Sequence, residues 1–247
     1  MNKPATDWLR CEKPLEPAAL RLICFPHAGG SAVFFRDWGA QLPDVEVHAV
    51  RYPGRAERIG EPTPSDLTAM ARTIAEAITP MADRRLALFG HSMGAVVALE
   101  TARALEVAGV EVTHLFASGS RNAPLPENSE SFSEDPTALA QQLVRLGGTD
   151  ADMVEDPVFQ ELVMPYILGD GRMFHEYTMS AQPVLNCPVT TISGVEDDDA
   201  DLRPWETLTR GGFAERSVAG DHFYLVEAPP FSIVGDALTT SADRKDR

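Results

Sequence analysis

One stretch of the 247-residue chain decides its fold: Leu86-Ala87-Leu88-Phe89-Gly90-His91-Ser92-Met93-Gly94. Its first four residues form a short apolar run that is typical of a buried strand. The pattern from Ala95 to Ala108 predicts a helix that Gly109 closes. The G-x-S-x-G motif between them is a sharp turn that projects its serine above a sheet, and its glycines avoid clashes in a crowded backbone. The stretch therefore predicts Ser92 as a nucleophile.

The rest of the chain alternates apolar runs with helical patterns, which favours a parallel sheet with crossover helices. Strands are predicted over Leu20–Phe25, Val45–Val50, Leu86–Phe89, Val112–Ala117, Val189–Ile192 and near Arg216–Val218. Further helices are predicted over Asp66–Met81, with Ser65 as N-cap, and over Pro230–Leu238. Together with the serine turn, this alternation of strands and helices predicts an α/β-hydrolase fold in one domain, residues 1–247. Its sheet is mostly parallel, with helices on both faces.

The alternation of strand and helix patterns stops between Arg121 and Pro183, where the sequence has amphipathic helical stretches and no strand-like run. Four of the eight methionines fall there: Met153, Met164, Met173 and Met179. Methionine side chains adapt to apolar surfaces of different shape. We predict that residues 121–183 form an inserted helical lid, with Met164 and Phe174 as candidate substrate contacts. The alternative is that these apolar faces only pack on the sheet.

A serine hydroxyl becomes a good nucleophile when a base takes its proton. In the α/β-hydrolase chain order an acid and then a histidine follow the serine. His222, just after the last apolar strand, is the candidate base, and His175 in the helical insert is the alternative. The spacing from Gly194 selects Asp197 as the acid, while Asp198 remains open because three aspartates stand in a row.

The tetrahedral intermediate of acyl transfer needs hydrogen-bond donors for its oxyanion. In this fold the usual donors are the amide after the nucleophile, here Met93 N–H, and an amide from the loop after an earlier strand. Ala28 N–H, in the glycine-rich loop at residues 26–30, is our candidate for the second donor. That loop lacks the lysine and spacing of a phosphate-binding P-loop.

Composition narrows the classes of partner. With 21 basic and 37 acidic residues, the formal net charge is −16, which disfavours nucleic acid and anionic membrane surfaces. No apolar run approaches the roughly 20 residues of a membrane helix, and the first residues have no signal-peptide core. Three cysteines without metal-site or disulfide spacing indicate a reducing compartment. We expect a cytoplasmic monomer that uses no metal or other cofactor.

Four motifs occur in order: Phe25-Pro26-His27-Ala28-Gly29-Gly30, Arg51-Tyr52-Pro53-Gly54-Arg55, Gly90-His91-Ser92-Met93-Gly94 and Gly220-Asp221-His222-Phe223. Over nearly the whole chain the sequence resembles the type II (external, editing) thioesterases of polyketide and nonribosomal peptide assembly lines. The resemblance implies a cytoplasmic hydrolase with a helical lid. It also implies release of acyl groups, aberrant or stalled ones, from the phosphopantetheine arm of acyl or peptidyl carrier proteins. One departure is Asp197-Asp198-Asp199, where the family has a single aspartate followed by proline.

Two other functions fit the same residues. A small-molecule carboxylesterase would use the same serine, base and acid, and a noncatalytic relative would keep the fold to bind a partner. The basic residues Arg51, Arg55 and Arg58 also allow two interpretations. They would contact an acidic carrier protein or its pantetheine phosphate, or they would form a solvated or salt-bridged loop.

Overall fold

The computed structural model describes residues 5–16, 18–124, 135–145 and 148–243. Its strands are β1 Leu9–Arg10, β2 Leu20–Phe25, β3 Val45–Val50, β4 Arg85–His91, β5 Val112–Ser118, β6 Ser120–Asn122, β7 Val189–Gly194, β8 Asp201–Arg203 and β9 Phe213–Val218. Its α-helices are α1 Ala5–Trp8, α2 Trp38–Gln41, α3 Leu67–Ile78, α4 Met93–Val107, α5 Pro136–Arg145, α6 Ala151–Glu155, α7 Pro157–Leu162, α8 Met164–Glu176 and α9 Phe231–Asp243.

The main sheet has the strand order β1-β3-β2-β4-β5-β7-β9. Only β1 pairs antiparallel with its neighbour, and β6 and β8 form a separate two-stranded parallel sheet. The predicted mostly parallel sheet is therefore confirmed. Because parallel strands end at the same edge, the residues that follow β4, β5, β7 and β9 meet there.

Both faces of the sheet are covered. In β2, Leu22 and Cys24 face one apolar core while Ile23 and Phe25 face the other, and all four are fully buried. Helices α3 and α4 pack on the Ile23 face, and α2 and α9 contribute to the opposite core. Burial on both sides explains why the central strands read as continuous apolar runs.

Two local predictions about α3 need correction. Its N-cap is Asp66, not Ser65, because the Asp66 carboxylate accepts a 2.9 Å hydrogen bond from Ala69 N–H. The helix ends at Ile78, and a 3-10 turn continues to Met81. Pro80 has no N–H to donate to a carbonyl one turn earlier, so the regular helix stops before it.

The chain between β6 and β7 contains α5 to α8, and no strand occurs among its described residues. The strandless region begins slightly later than predicted, because Arg121 and Asn122 belong to β6, which pairs with β8. Among the helices within the described ranges, none has the length and apolar character needed to cross a bilayer.

All three cysteines are free thiols. Cys24 lies in β2 and Cys187 just before β7, and both are buried, whereas Cys11 is half-buried.

Candidate active site

Ser92 occupies a tight turn between β4 and α4. Its backbone has φ 56° and ψ −124°, a left-handed conformation that a non-glycine residue rarely adopts. The Ser92 N–H donates a 2.8 Å hydrogen bond to the Ser118 carbonyl at the end of β5, and the Ser92 carbonyl accepts one from Ala95 N–H. These bonds hold the strained residue at the carboxyl edge of the sheet, half-exposed.

The glycines on either side of Ser92 allow backbone segments to touch. A Cβ atom on Gly90 would lie 2.1 Å from the Gly94 carbonyl oxygen. One on Gly94 would lie 2.2 Å from the Phe25 carbonyl oxygen and 2.5 Å from that of Pro26. Any larger residue would push the first turn of α4 away from β4 and from the loop after β2. The motif therefore also brings that loop against the serine turn.

His222 and Asp197 form a buried pair at the same edge. His222 Nδ1 lies 3.0 Å from Asp197 Oδ2 and 3.1 Å from Oδ1. A carboxylate only accepts hydrogen bonds, so Nδ1 carries the proton and Nε2 is left as the acceptor. His222 is 5% exposed and Asp197 1%. Asp198 is exposed, and His175 lies exposed in the last turn of α8. The structure thus pairs His222 with Asp197 rather than with Asp198.

The His222 ring stands beside the residues that flank Ser92. A Cβ on Gly119, next to the carbonyl that holds Ser92, would lie 3.0 Å from His222 Cε1. The His91 and His222 ring centroids are 5.0 Å apart. The base candidate therefore lies at the ends of β4 and β5, beside His91, which precedes the nucleophile candidate, and Gly119.

Arg121 holds the loop that carries Asp197. Its guanidinium donates to the carbonyls of Asp197 at 2.7 Å and of Gly194 at 3.0 Å. Glu196 N–H donates to the Gly220 carbonyl at 3.0 Å, which ties the acid loop to the histidine loop. No local pattern in the sequence marks Arg121 as a site residue, because its side chain contacts a loop that lies 73 to 76 residues later in the chain.

Two further histidines line this region, and both are uncharged at neutral pH. Burial, with the nearby His222 and Arg55, lowers the pKa of His27 to about 3. Burial, followed by His222 and His27, lowers the pKa of His91 well below its ordinary value. His91 Nδ1 lies 2.9 Å from the Ser118 hydroxyl, which in turn lies 2.7 Å from the Tyr224 hydroxyl. These neutral rings add no positive charge beside the His222 imidazole.

Both candidate oxyanion donors lie at this edge. Met93 is the first residue of α4, where backbone N–H groups have no acceptor within the helix. Ala28 lies in the loop after β2, in a turn closed by a 2.9 Å hydrogen bond from Gly30 N–H to the His27 carbonyl. The contact of Gly94 with Phe25 and Pro26 brings the two donors' segments together.

The two candidate substrate contacts lie apart on α8. Met164 packs with Leu139 and Ile167 and lines a cavity of about 780 Å³ formed by α5 to α8. Phe174, ten residues later and therefore about 15 Å further along the helix axis, packs against the main core. The Arg203 guanidinium lies 5.6 Å from the centre of its ring. The structure does not bring Met164 and Phe174 into one pocket.

Arg55 and Arg58 are buried and paired, which favours the salt-bridged interpretation of the basic cluster. Arg58 donates to Glu61 at 2.7 and 2.8 Å and to the Arg51 carbonyl at 2.7 Å, and it lies over the Trp8 ring. Arg55 is 2% exposed and forms an ion pair inside the protein. Neither guanidinium is available to an acidic partner.

Among the described residues, one cluster has side chains of the kind that bind metals: Cys11, Glu46 and His48. Glu46 already accepts hydrogen bonds from Arg21, His48 and Leu15 N–H. Burial opposes ionisation of Glu46, but these bonds outweigh it and lower its pKa to about 2. An arginine on the same carboxylate oxygen as the histidine repels a cation, so the cluster is a structural network.

Comparisons with known proteins agree on one family. The sequence profile described as "Thioesterase domain" matches residues 20–237. The thioesterase PikA5 of Streptomyces venezuelae is 38% identical, over 91% of this chain and 82% of that protein. A probable cadicidin biosynthesis thioesterase of Streptomyces griseus is 37% identical over 90% of this chain, which spans only 63% of that relative. The solved type II thioesterase BorB, from the borrelidin biosynthetic cluster, superposes with a TM-score of 0.83 at 35% identity, over 94% of this chain and 97% of BorB.

Proposed function

Because this chain belongs to the thioesterase domain family, we propose that it hydrolyses acyl thioesters through an acyl-Ser92 intermediate. The observation that carries the proposal is the buried Asp197–His222 pair beside the strained Ser92 turn. A buried carboxylate on Nδ1 fixes the imidazole tautomer that leaves Nε2 free to take a proton.

The reaction has two steps. As Ser92 Oγ attacks the acyl carbon, His222 Nε2 takes the hydroxyl proton and the carbonyl electron pair moves to oxygen. Met93 N–H and Ala28 N–H stabilise that oxyanion. Collapse of the intermediate breaks the C–S bond, and His222 gives its proton to the departing sulfur. Water then attacks the acyl-serine with the same groups, which releases the carboxylic acid and restores Ser92. Protein groups and water suffice, so the reaction needs no metal or other cofactor.

The substrates of this proposal are acyl groups on the phosphopantetheine arm of acyl or peptidyl carrier proteins. Support comes from the relatives, since one is described as a probable cadicidin biosynthesis thioesterase and BorB as a type II thioesterase from the borrelidin biosynthetic cluster. On this hypothesis the enzyme removes stalled or aberrant acyl groups from a polyketide or nonribosomal peptide assembly line. Three free cysteines fit a reducing cytoplasm.

One preparation tested on three substrates with the same acyl chain separates the alternatives. We expect kcat/KM on acyl-carrier protein to exceed that on acyl-pantetheine by about tenfold or more, because binding of the remote carrier lowers the barrier. Preference for the nitrophenyl ester would instead indicate a carboxylesterase. Absence of turnover on all three would indicate a noncatalytic relative.

The helices α5 to α8 are the proposed lid and the source of acyl-chain selectivity. Met164→Trp should fill part of the 780 Å³ cavity and lower the ratio of kcat/KM for long over short acyl thioesters. One methylene contact is worth about 1–3 kcal/mol in an apolar site, enough for a change of roughly tenfold. The matched control is Leu162→Trp on α7, because Leu162 is 52% exposed. Equal ratios in both variants and the parent would mean that the cavity does not hold the chain.

A further inference from the structure

A buried ion pair joins the inserted helices to the loop after β3. Arg55 Nη1 and Nη2 donate to Asp170 Oδ2 and Oδ1, each at 2.5 Å, and the two side chains are 2% and 1% exposed. Asp170 lies in α8, and Arg55 lies in the loop that follows β3. The parallel pair of bonds leaves the carboxylate a single orientation.

The same carboxylate accepts a third bond from the candidate oxyanion loop. Gly29 N–H donates to Asp170 Oδ2 at 2.8 Å, and Arg55 Nη1 donates to the Gly30 carbonyl at 3.3 Å. Helix α8 also packs directly on this loop, because a Cβ on Gly29 would lie 2.7 Å from Ile167 Cγ1. The ion pair therefore reaches the residue next to Ala28.

The Gly29 N–H belongs to the central peptide of a four-residue turn. Gly30 N–H donates to the His27 carbonyl, and Gly29 has φ +75°, the combination that a type II turn requires. Types I and II of this turn differ in the orientation of their central peptide, here the one between Ala28 and Gly29. A carboxylate that accepts from Gly29 N–H selects one orientation of this peptide and thereby fixes ψ of Ala28 and φ of Gly29 within the turn.

Stability alone gives no reason for a charged pair at this place. Well-packed apolar residues often replace a buried ion pair without loss of stability. An apolar pair, however, cannot accept a hydrogen bond from Gly29. The acceptor function is therefore what distinguishes Asp170 from an apolar core residue.

We propose that Asp170 is a positioning residue that holds the turn at residues 27–30 so that Ala28 N–H points at the oxyanion above Ser92. Arg55 holds the Asp170 carboxylate in its orientation. This inference rests on the proposed thioesterase function. It makes α8 a fixed part of the active-site wall rather than a movable part of the lid.

Two double variants separate the effect of the hydrogen-bond acceptor at position 170 from the effect of the ion pair. They are Arg55→Met/Asp170→Leu and Arg55→Met/Asp170→Asn, and both lack the ion pair. Only the asparagine side chain keeps an oxygen that accepts from Gly29 N–H. We expect the leucine double to lose about tenfold or more in kcat, with KM changed less than about twofold, and the asparagine double to retain most of kcat. Thermal melting checks that both fold.

A role in oxyanion binding is measured by the inhibition constant Ki of an alkylboronic acid, which forms a tetrahedral adduct on the serine. Because the adduct resembles the transition state, Ki should rise in the leucine double by the same factor as kcat falls. The control is Glu100→Leu/Arg103→Met, which removes another largely buried pair, on α4, and should leave kcat and Ki unchanged. Should the leucine double fail to fold, Arg55→Met/Asp170→Ala takes its place, and the same rise in Ki is expected because alanine also lacks an acceptor for Gly29 N–H.

Equal kcat and Ki in the asparagine double and in the double that lacks an acceptor, leucine or alanine, would overturn the positioning role. Failure of the proposed function looks different. In that case the wild-type protein and Ser92→Ala would already be indistinguishable on acyl thioesters.

Discussion

Ser92→Ala should lower kcat/KM on acyl thioesters by roughly 10⁴-fold or more while the protein stays folded. The substitution removes the only hydroxyl at the turn between β4 and α4 but keeps the Cβ that the turn accommodates, so the backbone need not move. The measurement is single-preparation kinetics on an acyl-pantetheine thioester, with circular dichroism melting as the check on folding.

Ser120→Ala is the matched control. Ser120 is a fully buried serine in β6, near the same sheet edge, and no hydrogen-bond partner for its hydroxyl occurs in the described part of the chain. Its removal should leave kcat/KM within about twofold. Near-wild-type activity of Ser92→Ala would refute the assignment of the nucleophile.

His222→Ala should be almost as damaging as Ser92→Ala, and the double variant should be no worse than either single one. The two side chains act in the same proton transfer, so their losses are not additive. Additive losses, measured as kcat/KM on the same thioester, would mean that they serve different steps.

The acid is tested with Asp197→Asn and Asp198→Asn side by side. Asp197→Asn should cost about 10³–10⁴-fold in kcat, because an amide on Nδ1 favours the wrong imidazole tautomer. Asp198→Asn should have little effect, because Asp198 is exposed and not paired with His222. A larger loss at Asp198 would reassign the acid while leaving Ser92 and His222 in their roles.

The central strands were predictable from the sequence because burial on both faces makes each of them a continuous apolar run. Leu20–Phe25 and Val45–Val50 have the predicted bounds. The edge strands and the short strands were harder to predict. Strand β9 begins at Phe213, earlier than predicted, because its polar residues are exposed and carry no apolar signal. The two-residue β1 and the short β6 and β8 are too brief for any periodicity to reveal.

Some residues of the candidate site were likewise predictable from the sequence, and others were not. Ser92 and His222 stand in local motifs, so the sequence alone identifies them as candidates. The choice between Asp197 and Asp198 depends on which carboxylate the loop turns inward, and adjacent aspartates look alike in sequence. The pairing of Arg55 with Asp170 joins a loop to a helix 115 residues later, so only the folded chain reveals it.

The distribution of the three cysteines decides how turnover can be followed. Each hydrolysed thioester releases one thiol, which an aromatic disulfide reagent converts into a coloured product. Such reagents react with thiolates. Burial raises the pKa of Cys24 and of Cys187, and burial together with Glu46 also raises that of Cys11. The enzyme's own background is therefore at most one slowly reacting group per chain, and a continuous absorbance trace reports product rather than protein.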